Sequence, residues 1–252
     1  MRAIILVAGR GSRLPSHLSK NPKSFLKIGK NTIIEKLIQN FLLLGISKIA
    51  LVTGYKKNKF TKFKLKTFNN REWKNTNMVY SLNKANNWLS KYNCIVSYGD
   101  IFYEKKAIES LLKDKNPLTI SYDPSWKKLW YKRFSNPLSD AETFKITKNK
   151  KIKEIGRKTT KIKDIQGQYM GLMKFEPKGW NSFKECLKKD FNSDFDNLYL
   201  TDVFQKLIEN KILIKASKYN GKWAEVDSQK DYLVMKKIFK DKDEKNSFYK
   251  TW

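Results

Sequence analysis

The run Arg2-Ala3-Ile4-Ile5-Leu6-Val7-Ala8-Gly9-Arg10-Gly11-Ser12-Arg13-Leu14 decides how the rest of the chain is read. From Ala3 to Ala8 it is apolar without alternation, the pattern of a strand buried on both faces in a parallel sheet. Gly9 and Gly11 follow at the strand's carboxyl end, where freed backbone N–H groups can face an anion and no Cβ holds a phosphate away. Arg13, and Lys23 after Asn21-Pro22, add positive charge where a triphosphate would lie. The spacing is not a Walker loop, G-x-x-x-x-G-K-[ST]. Nor is it the dinucleotide fingerprint, because Leu14 stands where a third glycine is required. Two glycines after a strand also fit a plain structural turn.

Outward from this segment the chain alternates between the two periodicities. Residues 31–44 predict a helix capped by Asn31 or Thr32, with Ile33, Leu37, Ile38, Phe41 and Leu44 on one face and Gly45 as its end. Strands are predicted at 48–53, 94–98 and 118–122, and helices at 77–89 and 105–113. This β-α-β order predicts an α/β fold: a Rossmann-like mixed, mainly parallel sheet with helices on both faces. A small β-rich insertion on the far side follows, with a hairpin at 143–147 and 152–155. Beyond it come a strand at 169–175, helices at 177–189 and 200–209 (the second capped by Thr201), and strands at 212–217 and 222–226. A helix capped by Ser228 and Asp231 then runs through Phe239. Residues 1–240 therefore read as one domain, and 241–252 as a charged tail.

Composition narrows the classes. The chain has 252 residues, 40% of them apolar and 13% aromatic, enough for one substantial core. Its longest apolar runs, residues 3–8 and 41–44, fall far short of the roughly 20 needed to span a bilayer, so no membrane association is expected. No cleavage-site pattern follows the first strand, and Cys94 and Cys186 cannot build a disulfide framework. A reducing cytoplasm is the expected compartment. The formal net charge is +29, from 53 basic and 24 acidic residues. Only six of the 53 are arginine, the better reader of guanine and phosphate, and the 47 lysines are scattered along the whole chain. That pattern disfavours a dedicated nucleic-acid groove and suits a field that attracts small anions.

Several motifs carry a resemblance in register: Ala8-Gly9-Arg10-Gly11-Ser12-Arg13 with Pro22-Lys23, Asn77-Met78-Val79-Tyr80-Ser81-Leu82, Gly99-Asp100, Gln166-Gly167-Gln168-Tyr169-Met170-Gly171 and Glu225-Val226-Asp227-Ser228. Together they resemble the sugar-nucleotidyltransferase (nucleotide-diphospho-sugar pyrophosphorylase) superfamily, and most of all its phosphocholine cytidylyltransferase-like branch, over nearly the whole chain. The resemblance implies a GT-A-like nucleotidyltransferase fold. It also implies an enzyme that transfers a nucleoside monophosphate, from CTP by preference, to a small phosphorylated acceptor with release of pyrophosphate. The acceptor would be phosphocholine-like, a phosphonate or a phosphorylated amino acid, and the product a precursor for surface polysaccharide or lipid. The alternatives are a sugar-1-phosphate uridylyl- or guanylyltransferase and, more remotely, a polyanion-binding protein. A glycosyltransferase would want an Asp-x-Asp after the third strand, where this chain has Tyr98-Gly99-Asp100.

The same resemblance implies roles for individual residues. Arg13 would hold the leaving β and γ phosphates, and Lys23 would sit between the α-phosphate and the incoming phosphate. Magnesium would be held by Asp100 and Asp227, since it requires hard oxygen ligands. Turn formation is the plain alternative for Asp100, and helix capping for Asp227. Leu6, Ala8, Gly9, Gly11, Ser12, Asn77, Ser81 and Gly99 would line the nucleotide. Asn77 suits a pyrimidine edge as donor and acceptor, and it equally suits a helix N-cap. Trp130, Arg133, Glu142, Arg157, Gln168 and Tyr169 fall in the segment that covers the acceptor. Trp130, Tyr169 and Glu142 could box an ammonium group, or could be ordinary packing. His17 reads as a surface side chain, and a homodimer is left open.

Overall fold

The computed structural model describes residues 1–239, so the 241–252 tail expected from the sequence lies outside the described residues. Its strands are β1 (Arg2–Val7), β2 (Lys27–Ile28), β3 (Asn31–Thr32), β4 (Ile49–Thr53), β5 (Lys66–Asn69), β6 (Cys94–Tyr98) and β7 (Ile101–Tyr103). They continue with β8 (Leu118–Asp123), β9 (Glu142–Ile146), β10 (Ile152–Lys158), β11 (Gln168–Phe175), β12 (Lys215–Lys218) and β13 (Trp223–Glu225). The main sheet runs β12-β8-β11-β6-β1-β4-β5. Every pairing in it is parallel except the two made by β11. Six strands therefore end at one edge, at Val7, Thr53, Asn69, Tyr98, Asp123 and Lys218, and Gln168 begins β11 opposite Asp123.

Alternation along β1 explains its uniform apolarity. Ala3, Ile5 and Val7 enter one core layer and Ile4 the other. The first layer is covered by α2 (Ile33–Leu42), α5 (Lys106–Leu112), α6 (Lys127–Arg133) and α9 (Gln229–Phe239). The second is covered by α3 (Met78–Asn83), α4 (Asn86–Leu89), α7 (Pro177–Asp190) and α8 (Leu200–Glu209), and α1 (Ser16–Ser19) lies in the first loop. At the start of α2, Thr32 Oγ1 accepts from the Glu35 amide at 3.3 Å and the Glu35 carboxylate accepts from the Thr32 amide at 2.8 Å. Gly45 follows the helix at φ +72°, as its expected end.

The differences from the sequence reading are local. The helix expected at 77–89 is divided into α3 and α4 at Lys84–Ala85, and the Asn86 side chain that begins α4 accepts from Trp180 Nε1 at 2.8 Å and Ser90 Oγ at 2.9 Å. The strand expected at 212–217 starts only at Lys215, with Ile212 and Leu213 left at the surface. Tyr199 and Asp202, not Thr201, cap α8. A short strand that the sequence does not announce, β7, pairs antiparallel with β13, the strand expected at 222–226, with Ile101 opposite Glu225. That pairing builds the site.

Candidate active site

The antiparallel β7–β13 register brings together two segments that are remote in sequence. Beyond the paired residues, the Val226 amide donates to the Asp100 carbonyl at 3.0 Å, so Asp100 and Asp227 arrive side by side at the sheet's carboxyl edge. Lys23, in a short turn after Pro22, joins them. Its Nζ donates to Asp100 Oδ2 at 2.8 Å, Asp227 Oδ1 at 2.7 Å and the Val226 carbonyl at 2.9 Å. Arg13 Nη2, on a mostly exposed side chain, reaches Asp227 Oδ1 at 2.7 Å. The four residues expected to do the chemistry therefore meet at one point.

Burial penalises the Lys23 ammonium, but the two carboxylates outweigh it and hold its pKa above the ordinary lysine value. Burial penalises the Asp227 charge as well. Lys23, Arg13 and Arg133 overcome that penalty and keep the carboxyl below the usual aspartate range. A third carboxyl, Glu225, is pushed upward by burial and by Asp227, with Arg133 opposing.

Gly11 shows why this loop needs glycine. It sits at φ +75°, and a Cβ there would collide with Lys23 Cγ and lie 2.9 Å from Lys23 Cδ. The lysine stem passes directly over it. Gly99 is constrained differently: its amide donates to the Leu6 carbonyl at 2.9 Å, and a Cβ would strike Val7 Cγ1 and come within 2.7 Å of the Leu6 oxygen. Gly99→Ala is thus expected to cost about 1–3 kcal/mol, and to lower the melting temperature by about 2–4 °C per kcal/mol. An unchanged melting curve would show that the β1–β6 edge yields without cost.

On the nucleotide side, Gly9 is exposed with open space where a side chain would stand, and Ser12 is exposed beside it. Ala8 accepts from the Tyr55 amide at 2.9 Å, and the Tyr55 ring packs 5.2 Å from Trp73, with Arg10 5.8 Å from the Tyr55 ring. This aromatic wall went unread in the sequence, where Tyr55 and Trp73 lie among lysines with no periodicity. Asn77 is engaged as an N-cap: its Oδ1 accepts from the Met78 amide at 2.9 Å and its Nδ2 donates to the Asn197 carbonyl at 3.3 Å. Ser81 Oγ accepts from the buried Asn70 at 3.0 Å.

On the acceptor side the expected residues are not gathered into one box. Trp130 is buried among Trp126 and Trp223, and its Nε1 donates to Asp140 at 3.0 Å. Tyr169 packs instead on Tyr98 and Phe204, at 6.0 and 5.9 Å. Gln168 Nε2 donates to the Glu142 carbonyl at 2.6 Å, tying β11 to β9. The Glu142 carboxyl is pushed up to about 7 by burial, with Asp202 and Asp140 adding to the rise and Lys158 opposing it. Arg157 is exposed and pairs with Glu209 at 2.7 Å. Arg133 is buried and pairs with Asp231 and Glu225.

The donor set fits a hard divalent cation in one specific way. Asp100 and Asp227 offer two carboxylates at one point, and among the described residues no group of three or more His, Cys, Asp or Glu side chains could hold a metal. Magnesium is suited to that arrangement, because it takes one or two carboxylates and completes its shell with phosphate oxygens and water. Among the described residues no helix is long and apolar enough to cross a membrane.

Comparison with known proteins extends the geometry. The family model described as the MobA-like NTP transferase domain matches residues 3–128. The chain is 38% identical over 250 residues to a CTP:phosphoglutamine cytidylyltransferase of Campylobacter jejuni, covering 93% of this chain and 98% of the relative. Among solved structures, the inositol-1-phosphate CTP transferase from T. maritima superposes with a TM-score of 0.74 at 20% identity, covering 94% of this chain and 95% of that one. CTP:phosphocholine cytidylyltransferase from Streptococcus pneumoniae superposes with a TM-score of 0.71 at 19% identity, covering 94% and 98%. These two likenesses show the shared fold, GT-A-like with a mostly parallel central sheet.

Proposed function

The chain belongs to the MobA-like NTP transferase family of nucleotidyltransferases, and from that premise we propose that it is a cytidylyltransferase acting on a phosphorylated amino acid or a similar ammonium-bearing phosphate. The observation that carries this reading is the meeting of Lys23 with Asp100 and Asp227 beside the Gly9–Gly11 loop. The extent of the likeness to the Campylobacter jejuni enzyme supports the choice of CTP and of the acceptor class.

In the proposed reaction an acceptor phosphate oxygen forms a bond to the α-phosphorus of CTP. The bond from that phosphorus to the bridging oxygen of the β-phosphate breaks, and pyrophosphate departs with its electron pair. The acceptor phosphate is already a nucleophile, so positioning and charge neutralisation are what the protein must supply. Arg13, exposed at the loop, would meet the departing phosphates, and Lys23 would stand between two anions that repel each other; their meeting at Asp227 supports this reading. Asp100 and Asp227 would hold magnesium, which would neutralise charge on the triphosphate when bound. Glu142 and Asp140 lie together in an otherwise strongly basic chain, and a bound ammonium group would favour the charged form of the Glu142 carboxyl, which burial otherwise pushes up to about 7. We read the setting as cytoplasmic, which suits two free, buried cysteines, Cys94 and Cys186.

Pyrophosphate release with each of the four nucleoside triphosphates, crossed with a phosphorylated amino acid, phosphocholine, aminoethylphosphonate and a hexose 1-phosphate, tests this. CTP with an ammonium-bearing acceptor is expected to give the highest kcat/KM. Since the rings are not gathered into a box, the preference would rest on the carboxylates, and an exposed ion pair is worth about 0.2–1 kcal/mol, or up to about fivefold. A tenfold preference for the hexose phosphate would overturn the acceptor assignment and favour a sugar-nucleotide product.

A further inference from the structure

We propose that Arg133 is a positioning residue that aims Asp227, acting through Asp231 and Glu225 without touching the acceptor. Arg133 is the last residue of α6, and its side chain is only 1% exposed. Its fork is divided among three carboxylates. Nε donates to Asp231 Oδ1 at 2.8 Å and Nη1 to Glu225 Oε2 at 3.1 Å. Nη2 lies 3.7 Å from Asp227 Oδ2, too far for a hydrogen bond, and has no hydrogen-bond partner among the described residues. The rings of Trp130 and Phe134 lie 5.0 and 4.9 Å from the guanidinium.

Asp231 turns this ion pair into control of the neighbouring backbone. Its Oδ2 accepts from the Asp227 amide at 3.1 Å, the Ser228 amide at 2.8 Å and the Ser228 hydroxyl at 2.9 Å. Arg133 therefore grips the chain on both sides of Val226, by Glu225 directly and by Asp227 through Asp231. The two oxygens of Asp227 are left unequal. Oδ1 receives Lys23 and Arg13, whereas Oδ2 faces Arg133 at a distance that fixes its electrostatic setting without consuming its lone pairs. The lone pairs of Oδ2 thus stay open to a cation, whose charge the guanidinium opposes. A lysine could not replace this fork, since an ammonium is a point charge and cannot hold three carboxylates in fixed directions.

This inference rests on the reading of Asp227 as a metal-holding residue, and the experiment separates the two. Arg133→Lys, Asp231→Asn, Asp227→Asn and the Arg133→Lys/Asp227→Asn double variant are compared by thermal melting, by kcat and KM for CTP at varied magnesium, and by Mn²⁺ affinity from water-proton relaxation. Arg133→Lys is expected to lower kcat/KM about 10- to 100-fold, the range for residues that orient a ligand to a metal. It should also weaken Mn²⁺ binding, and that weakening should vanish in the Asp227→Asn background, as residues acting through one another are non-additive. Asp231→Asn, which preserves side-chain shape, is expected to move both readings the same way, and it carries the test if Arg133→Lys does not melt cooperatively. Wild-type Mn²⁺ affinity in the folded Arg133 variant, or an undiminished effect in the Asp227→Asn background, would overturn the positioning role. Wild-type Mn²⁺ affinity in Asp227→Asn would instead overturn the metal assignment itself.

Discussion

Lys23→Ala is expected to lower the rate of pyrophosphate release by about two to four orders of magnitude, because in the proposed reaction this ammonium would oppose charge that concentrates as two anions meet. All three of its N–H donors are engaged, by Asp100, Asp227 and the Val226 carbonyl, and its stem fills the space above Gly11. To meet a phosphate it must release at least one of those acceptors and uncover the loop. The same geometry predicts an opposite change in metal affinity. With the ammonium gone, two carboxylates at one point lose their shared counter-ion, so Mn²⁺ should bind more tightly to Lys23→Ala than to the wild type even as turnover collapses. The Lys23 side chain is only 14% exposed, and its removal leaves Asp100 and Asp227 without their shared counter-ion, so the melting temperature is expected to fall alongside turnover. Turnover within about threefold of wild type would remove Lys23 from the chemistry. A loss of turnover together with weaker Mn²⁺ binding would mean that it serves to hold the aspartates.

Most of the sheet was legible because its strands are short and buried on both faces, as Ala3 to Val7 and Ile49 to Val52 show. The helices of the first half were legible from the 3.6-residue spacing of residues such as Ile33, Leu37 and Phe41, all fully buried. What escaped is non-local. The three residues Ile101–Tyr103 carry no strand signal of their own and become a strand only by pairing with Trp223–Glu225. Ile212 and Leu213 are apolar and exposed, so hydrophobicity alone extended β12 too far. Arg133 is the clearest case. Its type and position suited an exposed anion-binding arginine, and its partners Glu225 and Asp231 stand 92 and 98 residues further along the chain. Burial of a charge depends on partners that arrive from another element, which no local pattern encodes.

Asp100→Asn and Asp227→Asn are both expected to lower magnesium-dependent turnover by about a hundredfold or more, as each would remove one of the two proposed hard anionic ligands from a cation that accepts few substitutes. The structure makes the two losses unequal. Among the described residues Asp100 answers one cation, Lys23, whereas Asp227 answers Lys23 and Arg13 at 2.7 Å and Arg133 at 3.7 Å. Asp227→Asn therefore leaves three positive groups with less compensation, one of them fully buried, and should cost more stability than Asp100→Asn. The pH dependence has a definite sign. The Asp227 carboxyl sits below its usual range in the folded chain, so its stabilisation is present above the ordinary aspartate value of about 3.9. That stabilisation is lost only as the pH falls through the lower, folded value. Asp227→Asn should remove this acid-side decline from the stability profile, and Asp100→Asn should leave most of it. Magnesium titrations of the two variants, with melting curves from pH 2 to 7, decide the matter: an unchanged rate and half-saturation point in both would place the metal elsewhere, and equal melting penalties would show that Arg13 and Arg133 do not distinguish the two carboxylates.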